Sequence, residues 1–370
     1  MKILLIGGTG VLSSQIAKLA MDRGMNVTMV NRGHREIPSP AKVIISDKHD
    51  YSYITSQLQG IVFDAVIDFL CYTPDEVKQS FLAYSPFTKQ YFFISSCAVY
   101  DKNGGGKKHV ETDPKPLSIW KYSVNKWESE KALVEVAKNS SCAYTIVRPS
   151  ITYGDTRIPY GIAPKYGYHW TLVARILADK PVIRWKEGKT RYNMMRVEDF
   201  AVGVVGLIGN PKAYNEDFNV CSDDTPTFND VLDAISEVLD HRVNTVDITS
   251  EFYAKELPSR SGEILGGRSL DEMNSNDKIK HIVPDFMQTI SLKEGVKMTI
   301  EAYKNQNYQR GIDWNFDADS DRIVRKWCRQ NSIDAKQYNL SFNNYIGSAR
   351  MIDRLTYYQV CYKDNPVWGG

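Results

Sequence analysis

The sequence has little that would mark a secreted, metal-dependent or membrane-embedded chain. Only six of its 370 residues are cysteine and six are histidine. The cysteines (Cys71, Cys97, Cys142, Cys221, Cys328 and Cys361) are scattered, form no Cys-x-x-Cys pair, and several sit in apolar, strand-like segments. That argues against a disulfide framework and predicts reduced core thiols in a cytoplasmic protein. The histidines lack metal-ligand spacing, so no metal is expected. No apolar run reaches the length of a membrane span, and no membrane contact is expected. Neither sign of charge dominates: 46 Lys and Arg against 44 Asp and Glu leave a formal net charge of +2. Nothing in that balance calls for nucleic acid as a partner. What is present is ordinary soluble composition, 42% hydrophobic and 24% charged, in a chain long enough for more than one domain.

The chain begins with an apolar run of strand length, Ile3-Leu4-Leu5-Ile6, that enters Gly7-Gly8-Thr9-Gly10-Val11-Leu12-Ser13. Ile16, Leu19 and Ala20, stopped by Gly24, follow with helical spacing, and Val27-Thr28-Met29-Val30 reads as a second strand. In a strand–turn–helix context, Gly7 and Gly10 allow a tight turn and close approach of backbone N–H groups to a pyrophosphate. Ser13 takes the third glycine position, where a small residue serves helix–strand packing. The glycines interrupt the apolar stretch and the βα pattern continues, so a secretory leader is not expected. The ribose-reading position lies about 20 residues beyond the glycines. Asn31 occupies it and Arg32 follows. No acid stands there to repel a 2′-phosphate, and Arg32 offers one a charge-assisted fork, with His34 and Arg35 adding positive potential. These residues favour NADP over NAD.

Strand-like runs recur at Lys42–Asp47, Phe63–Phe69, Gln90–Ser96 and Tyr144–Pro149, separated by helical patterns. The alternation predicts an α/β fold with a doubly wound parallel sheet (Rossmann), whose ligands bind at the strands' carboxyl ends. Between the last two runs stands Trp120-Lys121-Tyr122-Ser123-Val124-Asn125-Lys126. Tyr122 and Lys126 share a helix face. A phenol titrates near 10, too high for a base at neutral pH. A nearby cation favours the phenolate, so the pair is a candidate general acid/base.

In order, Gly7-Gly8-Thr9-Gly10, Asp47, Ser95-Ser96-x-x-Val99-Tyr100, Tyr122-x-x-x-Lys126, Arg148-Pro149-x-x-x-Tyr153-Gly154 and Val197-Glu198-Asp199-Phe200-Ala201 resemble the extended short-chain dehydrogenase/reductase superfamily, specifically the NAD-dependent epimerase/dehydratase family. The resemblance covers about residues 1–305. Asn31-Arg32-Gly33 and Val66-Ile67-Asp68 with Tyr72-x-Pro74 resemble one subgroup of it. The resemblance implies that Tyr122 is the acid/base, that Lys126 serves the nicotinamide ribose and the phenol, and that Ser96 orients the substrate oxygen. It implies cofactor contacts at Gly7, Thr9, Gly10, Val11, Leu12 and Ser95. Asp47 and Lys48 would lie by the adenine, Leu70 and Cys71 along the cofactor, and Pro149 and Ser150 by the nicotinamide. It also implies a smaller C-terminal α/β substrate domain. The expected boundaries are 1–155 plus about 194–222 for the dinucleotide domain, and about 156–193 and 223–305 for the substrate domain. Residues 306–370, rich in aromatics that include Trp314, Trp327 and Trp368, are expected to be an ordered extension, a lid or an oligomer contact, and a homodimer stays open.

Departures narrow the expected reaction. Dehydratases of this family carry an Asp-Glu pair where this chain has Cys97-Ala98, so 4,6-elimination is disfavoured. A family reductase that makes GDP-fucose uses a cysteine where this chain has Ala98. Cys97 is one residue off and would face the other way, so it is expected to pack. Sugar-nucleotide 4-epimerisation or 4-ketoreduction remains. Arg191 and Arg260 are the candidates for holding a nucleotide sugar's diphosphate. His169 is expected to be structural, with a second acid/base role as the alternative. The segment Lys102–Lys108 is expected to be a mobile basic loop. A redox-inactive RNA-binding protein on this fold, as in plastid relatives, and a cofactor-sensing regulator are the alternatives to an enzyme.

Overall fold

Alternating apolar strands and amphipathic helices build a seven-stranded parallel sheet. The computed structural model describes residues 1–35, 38–102, 106–115 and 118–363. Its strands are β1 (Lys2–Ile6), β2 (Asn26–Asn31), β3 (Lys42–Ile45), β4 (Ala65–Asp68), β5 (Gln90–Ile94), β6 (Ala143–Pro149), β7 (Ile151–Tyr153), β8 (Val182–Arg184), β9 (Met194–Arg196), β10 (Glu216–Val220) and β11 (Thr245–Asp247). The main sheet runs β10-β6-β5-β4-β1-β2-β3. In its register Ile6 lies opposite both Val30 and Asp68, so the carboxyl ends of the central strands meet along one edge. The two faces of β1 follow the strand period. Ile3 and Leu5 pack with Ile16, Met29, Phe200 and Val204, whereas Leu4 and Ile6 pack with Ile54, Phe81, Tyr91 and Leu133. The doubly wound parallel sheet is as the sequence predicts.

Four helices position the site. They are α1 (Val11–Asp22), α2 (Tyr51–Gln57), α3 (Pro74–Tyr84) and α4 (Lys121–Ala137). Thr73 caps α3 in a capping box with Glu76, and Pro74 at its first turn needs no N–H partner. Ser123, Lys126, Glu130 and Leu133 of α4 are buried, a stripe at helical spacing.

The chain divides into two compact units, 1–153, 192–225 and 271–290 in the first, and 154–191, 226–270 and 291–370 in the second. This corrects the sequence expectation for 223–305, because 271–290 return to the first unit. The helix Asp277–Ile282 and the turn after it put Ile279, Val283 and Phe286 into the core beside Phe200 and Val220. The Lys278 amine pairs with Glu216 at 2.7 Å, and Thr289 and Ile290 N–H both donate to Asp199 at 3.0 Å.

In the second unit β8 pairs with β11. Trp185 packs against Tyr160, Phe228 and Tyr253, and its indole N–H donates to the Arg268 carbonyl at 2.7 Å. Residues 306–363 belong to this unit rather than forming a separate layer. The helices Trp314–Gln330 and Met351–Cys361 pack together, and Trp314 stacks on Tyr345 with centroids 5.7 Å apart. Trp368 lies outside the described residues. Among the described residues no helix is long and apolar enough to cross a membrane.

Candidate dinucleotide and catalytic site

The glycine turn is shaped by what cannot fit there. Gly7 has φ of +91°, a conformation that side chains strain, and a Cβ would stand 2.8 Å from Leu70 Cγ. A Cβ on Gly8 would meet the Met29 sulfur at 2.6 Å. Ser13 does more than pack: its hydroxyl donates to the Gly7 carbonyl at 2.7 Å and accepts the Gly10 N–H at 2.8 Å. The side chain thereby staples the turn to the first turn of α1. Gly7→Ala should abolish dinucleotide binding and lower the melting temperature, whereas Gly24→Ala, at a positive φ but in open space, should lower stability only. Calorimetric titration beside a thermal melt separates the two outcomes.

A cavity of about 480 Å³ opens beside this turn. Of the expected cofactor residues, Gly7, Thr9, Gly10, Asn31, Arg32, Asp47, Lys48 and Leu70 line it. Val30, His34, Arg35, Ser46, His49 and Tyr72 line it as well; the charges of His34 and Arg35 follow from their place after β2, whereas Ser46, His49 and Tyr72 carry no signal in the sequence that marks them for this cavity. Arg35 reaches over the turn to the Thr9 carbonyl at 2.6 Å. The backbone N–H of His49 holds the Asp47 carboxyl below its usual range. Lys48 donates to the Leu70 carbonyl and to Glu76, each at 2.5 Å, tying the β3 and β4 loops together. The cavity size and a cradle that any Cβ would fill suit a dinucleotide.

Val11, Leu12, Cys71 and Ser95 do not line the cavity. Val11 and Leu12 sit in the first turn of α1, where Leu12 packs against the core. Cys71 is buried with its thiol on Asp68. Ser95 donates at 2.5 Å to Glu130, which grips Arg148 through two bonds of 2.8 and 2.6 Å. The Leu12, Cys71 and Ser95 side chains thus turn into the core or onto buried partners, whereas Val11 is half-buried in the first turn of α1.

Tyr122 and Lys126 lie on one face of α4 as expected. The Tyr122 ring is exposed and packs on Trp120 at 5.0 Å. Lys126 is buried and donates to the Cys71 and Ile94 carbonyls, both at 2.8 Å. Two of its three N–H bonds are thus used. Its amine lies 6.0 Å from the Tyr122 ring centre and 5.0 Å from that of Tyr72. Burial lowers the Lys126 ammonium to about 8, against the carboxylates of Asp68, Glu130 and Glu76 that raise it. Ser96 is nearly buried and accepts the Ala98 N–H at 3.2 Å, capping the short turn Cys97–Val99. Cys97 is enclosed, with its thiol on the Arg148 carbonyl, and burial pushes it well up, as a packing residue requires.

Pro149 ends β6 in the core, and Ser150 donates to Glu272 at 3.1 Å. Glu272 also meets Lys102 at 2.6 Å, both side chains being buried. Lys102 is therefore not part of a mobile basic loop, and Asn103–Gly105 of that segment lie outside the described residues. Arg191 and Arg260 belong to the second unit. Arg191 is exposed beside a backbone bridge to Thr227. Arg260 lines a cleft of about 500 Å³ with Lys165 and Asp319. Its guanidinium is engaged by Glu263 at 2.9 Å and the Ala163 carbonyl at 2.7 Å, so its charge is already balanced. His169 is buried, accepts the Ile158 N–H at 3.2 Å, and is depressed to about 3 by burial and then by Arg157, which leaves a neutral structural ring.

Comparison with known proteins bears on this arrangement. The model of the NAD dependent epimerase/dehydratase family matches residues 3–221. The chloroplast stem-loop binding protein of 41 kDa b from Arabidopsis thaliana is 27% identical over 252 residues, 64% of this chain and 62% of that protein. UDP-glucose 4-epimerase from Lactobacillus helveticus is 29% identical over 170 residues, 40% of this chain and 51% of that protein. The chain thus spans between half and two thirds of these relatives' lengths. In structure it resembles Bacillus cereus UDP-glucuronic acid 4-epimerase, solved with UDP-glucuronic acid and NAD (TM-score 0.67, 17% identity, 83% of this chain and 100% of that one). It also resembles Thermotoga maritima UDP-glucose 4-epimerase, solved with UDP-glucose (TM-score 0.68, 19% identity, 83% and 100%). At these identities the structural likeness speaks for the fold alone.

Proposed function

The chain belongs to the NAD dependent epimerase/dehydratase family, and from that premise we propose that it is an NAD(P)-dependent 4-epimerase or 4-ketoreductase of a nucleotide sugar. The observation that carries the reading is Lys126, buried and pinned by two carbonyls on the helix face of Tyr122, in the same unit as the glycine cradle. A nicotinamide dinucleotide, when bound, supplies the hydride acceptor and donor. Gly7, Thr9 and Gly10 would hold its pyrophosphate at the α1 N-terminus, and Asn31 and Arg32 its adenosine ribose. The absence of an acid after β2 favours NADP. The remaining N–H of Lys126 would meet the nicotinamide ribose. Tyr122 takes the proton of the substrate hydroxyl and returns it, and the Ser96 hydroxyl orients that oxygen. Elimination is disfavoured, because Cys97 and Ala98 supply neither the acid nor the base it needs.

Calorimetric titration with NADH, NADPH and their oxidised forms tests the cofactor. Binding of none of the four defeats the reading, and tighter NAD than NADP binding removes only the Arg32 argument. Thermal protection by UDP-, GDP-, CDP- and dTDP-sugars tests the substrate. Protection by a non-nucleotide carbonyl compound alone would replace the sugar-nucleotide assignment with another ketoreduction. A second reading, RNA binding, is favoured by the stem-loop binding relative. It requires RNA affinity that falls steeply with salt and survives Tyr122→Phe.

Lys126 also sets a pH dependence. Its folded value of about 8 lies below the ordinary lysine value of 10.5. The ammonium that meets the ribose is therefore lost as pH rises through about 8, and dinucleotide affinity should fall there. Stability of the free protein runs the other way. Above about 8 the unfolded chain binds more protons at this site, so the cost of burying the charge is relieved up to the unfolded value. Affinity measured from pH 7 to 10 checks the first claim, and Lys126→Arg should flatten the decline.

A further inference from the structure

Asp68 ends β4 and is buried, yet neither the glycine cradle nor the Tyr122–Lys126 pair uses its side chain. Its carboxyl is surrounded by donors. Oδ1 accepts the Leu70 N–H at 2.7 Å. Oδ2 accepts from the Ser80 hydroxyl at 2.5 Å, the Cys71 thiol at 3.2 Å and the Tyr91 hydroxyl at 3.3 Å. Two of these donors belong to the Leu70–Cys71 turn. The same turn presents the carbonyls that hold both lysines of the site, Leu70 for Lys48 at 2.5 Å and Cys71 for Lys126 at 2.8 Å. Leu70 is also the side chain against which Gly7 is fitted. A buried carboxyl costs free energy unless it is hydrogen-bonded, and this one spends its bonds on an irregular turn.

We propose that Asp68 is a positioning residue of this site, fixing through the Leu70–Cys71 turn the carbonyl that orients Lys126. The proposal rests on the dinucleotide reading only for what the third N–H of Lys126 meets. Charge acts in the same direction. Burial pulls the Lys126 ammonium down, while the carboxylates of Asp68, Glu130 and Glu76 hold it up. The rings of Tyr72, Phe93 and Tyr122 complete the surroundings of the amine. Asp68 would thereby keep Lys126 both aimed and protonated near neutral pH.

The test is the titration midpoint of Lys126, followed by NMR of protein carrying carbon-13 at the lysine ε positions and assigned with Lys126→Arg. Asp68→Asn keeps the shape and removes the charge. It should lower the midpoint by roughly one unit and weaken NADH and NADPH binding about tenfold. Ser80→Ala removes one donor and keeps the charge, so it should weaken the dinucleotides about threefold with the midpoint kept. It also serves if Asp68→Asn fails to fold, since unchanged affinity in folded Ser80→Ala would then overturn the proposal. An unchanged midpoint in folded Asp68→Asn overturns it outright. The midpoint needs no ligand, so wild-type protein that binds none of the dinucleotides condemns the cofactor reading while the midpoint still decides the role of Asp68.

Discussion

Tyr122→Phe should lower turnover by a factor of about 10²–10⁴ and leave dinucleotide affinity within about twofold of the parent. The ring survives the substitution, so its packing on Trp120 survives too. Only the ionisable oxygen is lost. Lys126→Ala should damage turnover and dinucleotide affinity together, because the same ammonium serves the phenol and the ribose. Steady-state kinetics beside calorimetry reads the split. If Tyr122→Phe kept more than about a tenth of the activity, another base would have to act. His169 would not be that base, since its Nδ1 already accepts a backbone N–H and the ring sits near 3 through burial.

The second large effect is on stability, at Asp317. This residue and Asp321 lie one turn apart on the helix Trp314–Gln330, fully buried, and face the buried cations Arg175 and Lys180. Asp317 meets Arg175 at 2.5 Å and Lys180 at 2.8 Å, while Asp321 meets them at 3.0 and 2.6 Å. Tyr345 and Tyr357 add their hydroxyls to the two carboxylates. The square balances two charges of each sign. Asp317→Ala leaves a surplus cation without water, and should cost about 3–5 kcal/mol in urea unfolding. Asp319→Ala on the same helix is the control. Asp319 is partly exposed, and its buried partner Arg322 keeps Glu256 at 2.9 Å, so its loss should cost less than that of Asp317. Equal effects would mean that the buried square does not tie the C-terminal helices to this unit. Removal of residues beyond 313 should prevent the second unit from folding, because Arg175 and Lys180 would both be stranded.

The sequence by itself determined the features that are local. The apolar run of β1, the Gly7–Gly10 spacing and the start of α1 lie within a few residues of one another, and each is dictated by local sequence and backbone geometry. The pairing of Tyr122 with Lys126 needs only the period of one helix. The apolar runs declared the parallel sheet, because strands covered on both faces admit little else. Tertiary structure alone decided how the polar groups of these segments are spent. The motif around Ser95 points to a cofactor contact, and its hydroxyl is held by Glu130, 35 residues away. The resemblance makes Arg260 a candidate diphosphate ligand, and its guanidinium is balanced by Glu263 and a carbonyl 97 residues distant. The resemblance assigns residues 271–290 to the second domain, and they return to the first through Ile279 and Phe286. Asp68 draws donors from its own turn, from α3 and from β5, and Arg175 finds Asp317 across 142 residues. Apolar burial leaves a periodic trace along a chain, since each element must turn one face inward. A hydrogen bond or ion pair between distant segments leaves none, since it requires only that two side chains arrive at the same point once the core has closed.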